Sequence, residues 1–112
     1  MIREAKRRIL IVDDEGDFVE MTTLRLEQAG FSVETAADGE TALKKAPFFR
    51  PDVILLDLKL PDMEGWRVAE LLRENPKTRQ IPIIILTAAH PKDIAQRTER
   101  LGIERVILKP FD

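Results

Sequence analysis

Three carboxylates, a hydroxyl and an ammonium stand at corresponding places along this chain. Asp13 and Asp14 follow the apolar run Ile9–Val12, Asp57 follows Val53–Leu56, Thr87 follows Ile83–Leu86, and Lys109 follows Val106–Leu108. Each alone has a plain explanation: an Asp in a turn, a Thr capping the next helix, a solvated Lys. Together they are chemically complementary. Clustered carboxylates repel, and one would take up a proton unless a cation relieved them. The chain has no cysteine and a single histidine, His90, so the donor set is oxygen, which points to Mg2+. Lys109 adds a second positive charge. Such a place suits a dianionic phosphoryl group, whose transfer depends on positioning and charge neutralisation. Asp57 ends the most apolar run and is the carboxylate expected both to ligate metal and to accept the phosphoryl group covalently. Thr87 and a nearby backbone N–H would bond the phosphoryl oxygens.

The elements that must position these groups are short and regular. Runs that are apolar at every position predict strands buried on both faces. Between them lie helical patterns. Phe18, Met21, Thr22, Leu26 and Ala29 form one stripe, stopped by Gly30. Phe31–Ala36 alternates as a half-buried strand, with Phe31, Val33 and Thr35 on one side. Glu40–Ala46 predicts a short helix halted near Pro47. A helix over Glu64–Glu74 carries Trp66, Val68, Ala69, Leu71 and Leu72 and ends at Asn75-Pro76, and another over Lys92–Leu101 is closed by Gly102. Strands alternating with helices at this spacing make right-handed βαβ units and a parallel sheet. In such a sheet the carboxyl ends of the strands share one rim, where ligands bind. The polar groups are therefore expected to converge.

Composition narrows the function classes. At 112 residues, 44% hydrophobic and 34% charged, the chain is one globular domain spanning residues 1–112. A net charge of −2 offers no field for nucleic acid, and direct nucleic-acid binding is not expected. Arg3, Lys6, Arg7 and Arg8 read as a solvated strand entry. No apolar run nears the roughly 18 residues that span a membrane, and Ile9–Val12 is too short for a signal-peptide core. The expected location is the cytoplasm.

These residues resemble a known family. Asp13-Asp14, Asp57, the Leu60-Pro61-Asp62-Met63-Glu64-Gly65 stretch, Thr87-Ala88 and Lys109-Pro110-Phe111 are similar to the motifs of response-regulator receiver domains, over essentially the whole chain. The resemblance implies a flavodoxin-like α/β fold, doubly wound, with a five-stranded parallel sheet in the order 2-1-3-4-5, an order the general rule for doubly wound folds illustrates with a receiver of this kind. It implies that Asp57 takes a phosphoryl group from a sensor histidine kinase or histidine phosphotransfer protein. Asp14, Asp57 and the Lys59 carbonyl would ligate Mg2+ directly, with Asp13 acting mainly through water. Thr87 would shift toward the phosphoryl group, Lys109 would pair with it, and a downstream output domain or protein would read the change. The Lys109-Pro110 bond is similar to one the family keeps cis.

Two positions depart from the pattern. Val106 stands where the family usually carries an aromatic ring that turns inward; with no ring to swing, either the output relay differs or another residue reports the change. The family's last helix should follow Phe111, yet Asp112 is the last residue. The expectation is a fragment, or a chain that borrows a partner's surface, with an exposed apolar patch on one sheet face. His90 is expected to be a loop residue rather than a phosphodonor, and Lys59's side chain a solvated loop lysine. The alternative reading is a degenerate receiver, a protein-interaction module that works without phosphorylation. That reading expects a missing acceptor, acidic pair or lysine, and all are present. A haloacid-dehalogenase-like phosphatase would need a second Asp where Lys59 stands. A dinucleotide-binding domain would need a glycine-rich loop where Asp13-Asp14-Glu15-Gly16 stands.

Overall fold

A computed structural model describes residues 5–88 and 94–109. The elements run β1 (Arg8–Val12), α1 (Gly16–Gln28), β2 (Ser32–Ala36), α2 (Gly39–Phe49), β3 (Val53–Asp57), α3 (Gly65–Glu74), β4 (Ile83–Thr87), α4 (Ile94–Leu101) and β5 (Arg105–Leu108). The sheet is parallel throughout, in the order β2-β1-β3-β4-β5. The reversal after β2 follows from right-handed crossovers. The chain steps from β1 to β2 in one direction, then returns past β1 to β3, so α1 covers one face and α2, α3 and α4 cover the other.

The second face holds the main core. Leu10, Val12, Ile54, Leu56, Ile83 and Ile85 pack there against Ala42 and Ala46 of α2, Trp66, Val68, Ala69 and Leu72 of α3, and Leu101 of α4. The strand register aligns these side chains, with Leu10 beside Ile54, Val12 beside Leu56, and Leu56 beside Ile85. Gly30 (φ 100°) and Gly102 (φ 67°) end α1 and α4 in the left-handed region. In each turn the following amide reaches back, Phe31 N–H to the Leu26 carbonyl and Ile103 N–H to the Thr98 carbonyl, as a Schellman ending requires.

Three sequence expectations need correction. The helix expected to halt near Pro47 continues to Phe49, with Pro47 inside it. Proline forfeits one amide there. Ala42 and Ala46 are nevertheless fully buried and Phe49 packs on the core, and Arg50 closes the turn with a positive φ of 52° and an N–H to Ala46 O of 3.0 Å. Burial outweighs the lost bond. The inward stripe of α1 is Phe18, Val19, Thr22, Thr23 and Leu26, while Met21 is 55% exposed and Ala29 also faces out. The last strand, apolar over Val106–Leu108, is not buried on both faces as its run alone predicts: Ile107 and Leu108 are each 46% exposed, in line with the apolar patch expected where no last helix follows. β5 lies at the sheet edge, and among the described residues no helix covers its Ile107 side. The Lys109–Pro110 bond, Phe111 and His90 lie outside the described residues.

Candidate functional site

The strand ends deliver their polar groups to one rim. Asp57 and Thr87 are the last residues of β3 and β4. Asp13 and Asp14 directly follow β1, and Lys109 follows β5. The parallel register holds these ends level: Asp57 pairs with Leu86, Thr87 pairs with Leu108, and the Lys109 N–H bonds the Thr87 carbonyl at 2.9 Å. Asp13 N–H bonds the Ala36 carbonyl at 3.0 Å, pinning the β1 end against β2.

Asp13, Asp57, Thr87 and Lys109 are all buried, while Asp14 is exposed. Lys109 Nζ sits 2.8 Å from Asp13 Oδ2, 3.3 Å from Asp57 Oδ2 and 3.4 Å from Glu15 Oε1. Phe18 of α1 lies beneath the ammonium, 5.0 Å from ring centre to nitrogen, a cation–π distance. Asp13 Oδ1 accepts the Glu15 N–H at 3.0 Å. Its Oδ2, though ion-paired, has no hydrogen bond of proper geometry. Asp57 Oδ1 accepts a long bond from Lys59 N–H at 3.4 Å.

These contacts shift the titrating groups. Burial, then the charge of Asp13, raises the Asp57 carboxyl above the usual range, against the pull of Lys109 and the Lys59 N–H. Burial would lower the Lys109 ammonium, but its contacts with Asp13 and Asp57 outweigh that and hold it above an ordinary lysine. A raised acid beside a raised base says that the cluster is short of positive charge.

The loop after β3 forms the near wall. Lys59 pairs with Glu64 in an antiparallel bridge, and Gly65 N–H bonds Leu58 O at 2.8 Å. A Cβ on Gly65 would collide with the Asp57 carbonyl oxygen, so the closure needs glycine. At the tip, Asp62 accepts N–H bonds from Gly39 (2.8 Å) and Glu40 (2.9 Å) at the start of α2. Those bonds hold its carboxyl below the usual range. Trp66, Thr87 and Ala88 complete the cleft with Leu60, Pro61 and Met63. Arg97 of α4 stacks on Trp66 at 5.5 Å and reaches Glu64 at 4.0 Å.

One oxygen from each of Asp13, Asp14 and Asp57 lies within 4.8 Å of the other two. Three carboxylates facing one ammonium fit a hard divalent cation. The residues singled out by sequence thus gather as expected. Glu15, Phe18 and Asp62 were not singled out. Glu15 is the N-cap of α1 and Phe18 lies in its first turn, and only the fold brings either to Lys109. Asp62 stood only within the Leu60–Gly65 stretch, and nothing local shows that it bonds a helix more than twenty residues earlier.

Comparison with known proteins agrees with this geometry. The family described as "Response regulator receiver domain" matches residues 9–112. A Bacillus subtilis relative, "Alkaline phosphatase synthesis transcriptional regulatory protein PhoP", is 40% identical over 94% of this chain and 43% of its own length. Klebsiella pneumoniae "Phosphate regulon transcriptional regulatory protein PhoB" is 39% identical over 94% and 46%. The chain therefore spans less than half of these curated relatives. Among solved structures, Vibrio cholerae chemotaxis protein CheY4 superposes with a TM-score of 0.88 at 35% identity, covering 96% of this chain and 90% of that one. A CheY-like receiver from Methanospirillum hungatei gives 0.87 at 30% identity, covering 96% and 85%. No described helix is long and apolar enough to cross a membrane. With its 2-1-3-4-5 sheet, its acidic rim and these relatives, the chain belongs to the response regulator receiver domain family, whose members are phosphoacceptor signalling domains.

Proposed function

We propose that residues 1–112 form one receiver domain in which Asp57 accepts a phosphoryl group from the phosphohistidine of a sensor histidine kinase or a histidine phosphotransfer protein. The observation that carries this reading is Asp57 itself, a buried carboxylate at a strand end, 3.3 Å from a buried ammonium and within reach of two further carboxylates. In the transfer one Asp57 oxygen attacks phosphorus, the bond to the donor's imidazole nitrogen breaks, and the imidazole leaves with that electron pair. Lys109 then pairs with the transferred group's charge, and the Thr87 hydroxyl donates to one of its oxygens. Mg2+, when bound, neutralises charge at those oxygens. Asp14, Asp57 and the Lys59 carbonyl would hold it directly, and Asp13 through water.

Phosphorylation shifts the balance between two conformations of the domain. Its output passes to a further domain or partner protein. The relatives support that extension, since those named as transcriptional regulators are more than twice as long as the segment they share with this chain. Direct contact with nucleic acid is left to such an output partner. The degenerate alternative has no supporting observation, because the acidic pair, acceptor, threonine and lysine are all present and gathered.

The test is the intact mass after incubation with Mg2+ and acetyl phosphate. One added phosphoryl group is expected in the wild type, and none in Asp57→Asn or with EDTA. Stoichiometric labelling of Asp57→Asn would remove the acceptor assignment.

A further inference from the structure

The loop that carries the Lys59 carbonyl is secured at its base but not by its own backbone at its tip. The base is closed by the Lys59–Glu64 bridge and the Gly65-to-Leu58 bond. Between them, residues 60–63 make no backbone–backbone hydrogen bond among the described residues. The tip is held from outside. The two carboxylate oxygens of Asp62 each take one amide of α2, at 2.8 and 2.9 Å, and Met63 packs so closely over Gly39 that a Cβ there would stand 2.7 Å from Met63 Cγ. The helix uses this contact for its buried Gly39 amide. Its other amides are served by Asp38, whose side chain accepts Thr41 N–H at 2.7 Å and whose carbonyl accepts Ala42 N–H at 3.2 Å. The Glu40 amide, at an exposed position, could turn to water instead. Asp62 is also exposed, so a charged group is kept there without being forced by burial.

We propose that Asp62 is a positioning residue for metal binding: by clasping the first two amides of α2, it fixes the loop that carries the Lys59 carbonyl. This rests on the Mg2+ reading above. It makes α2, which supplies no ligand, part of the support for the site. Groups that orient metal ligands from outside the coordination sphere change affinity by roughly ten-fold or more when removed.

The experiment compares wild type, Asp62→Ala and Asp38→Ala, two substitutions that each remove a carboxylate from the same helix end. Mg2+ alone is titrated and followed by fluorescence of Trp66, the single tryptophan, which lines the cleft. Amide hydrogen exchange is measured on the metal-free proteins. Asp62→Ala is expected to weaken Mg2+ binding roughly ten-fold and to speed exchange at Lys59 and Gly65 while β3 stays protected. Asp38→Ala is expected to keep wild-type Mg2+ affinity although it loosens the same helix. Wild-type affinity in Asp62→Ala, or equal weakening in both variants, would overturn the proposal. If the wild type bound no Mg2+, the metal reading would fail by itself. The exchange data would still decide the clasp, because unchanged exchange across residues 59–65 in Asp62→Ala rules it out.

Discussion

At the scale of single residues the site is organised by electrostatic tension. Asp57 is pressed by burial and by Asp13 toward its protonated form, and Lys109 is the main group resisting that pressure. The consequence for stability has a definite sign. A carboxyl whose folded pKa is raised binds its proton more tightly in the folded state, so its favourable contribution is complete below the unfolded value. That contribution is lost as pH rises through the folded value. In metal-free buffer, Asp57→Asn should therefore stabilise the protein at pH 7 by roughly 0.5–2 kcal/mol, the range common for single stabilising substitutions. The gain should shrink as the pH is lowered toward 4. Urea denaturation at the two pH values measures it, and a variant less stable than wild type at pH 7 would contradict the account. Added Mg2+ should narrow the difference, because a cation relieves the same repulsion.

At the scale of elements, the loop from Asp57 to Gly65 is where geometry is tightest. Gly65 faces backbone, since a Cβ there would meet the Asp57 carbonyl and stand 2.8 Å from Leu58 Cα, whereas Gly39 faces mainly the flexible Met63 side chain and a methyl of Val68. Backbone cannot step aside as a side chain can. Gly65→Ala should then cost about 3 kcal/mol and Gly39→Ala about 1 kcal/mol, from the range seen for overpacked sites. Thermal or urea unfolding ranks them, and the reverse order would show that the loop yields more easily than the helix. The same element scale shows why sequence misjudged α2. Pro47 is a sound local stop signal, but it cannot register that Phe49, two residues later, has a core to pack against.

At the scale of the whole molecule the two sheet faces are unequal. Leu56 is fully buried beneath α2, α3 and α4, while Ile107 on the opposite face is 46% exposed. Leu56→Ala should cost about 3 kcal/mol through lost burial and cavity formation. Ile107→Ala should cost under about 1 kcal/mol, because much of that side chain is already in water. Denaturant midpoints at unchanged slope test the contrast. A loss at Ile107 matching that at Leu56 would mean that something covers this face in solution.

Much of this was legible in the residues alone. Apolar runs of strand length, helical stripes between them and glycine stops determine a parallel α/β sheet, because local periodicity and chain reach leave few alternatives. The polar residues ending those runs named Asp13, Asp14, Asp57, Thr87 and Lys109, since parallel strands bring their carboxyl ends to one rim. Tertiary structure alone decided that Lys109 is buried between Asp13 and Asp57, that Phe18 and Glu15 surround it, and that Asp62 reaches the start of α2. These outcomes depend on which side chains meet across the folded chain and on which face finds a cover. Neither is encoded in the spacing of any one segment.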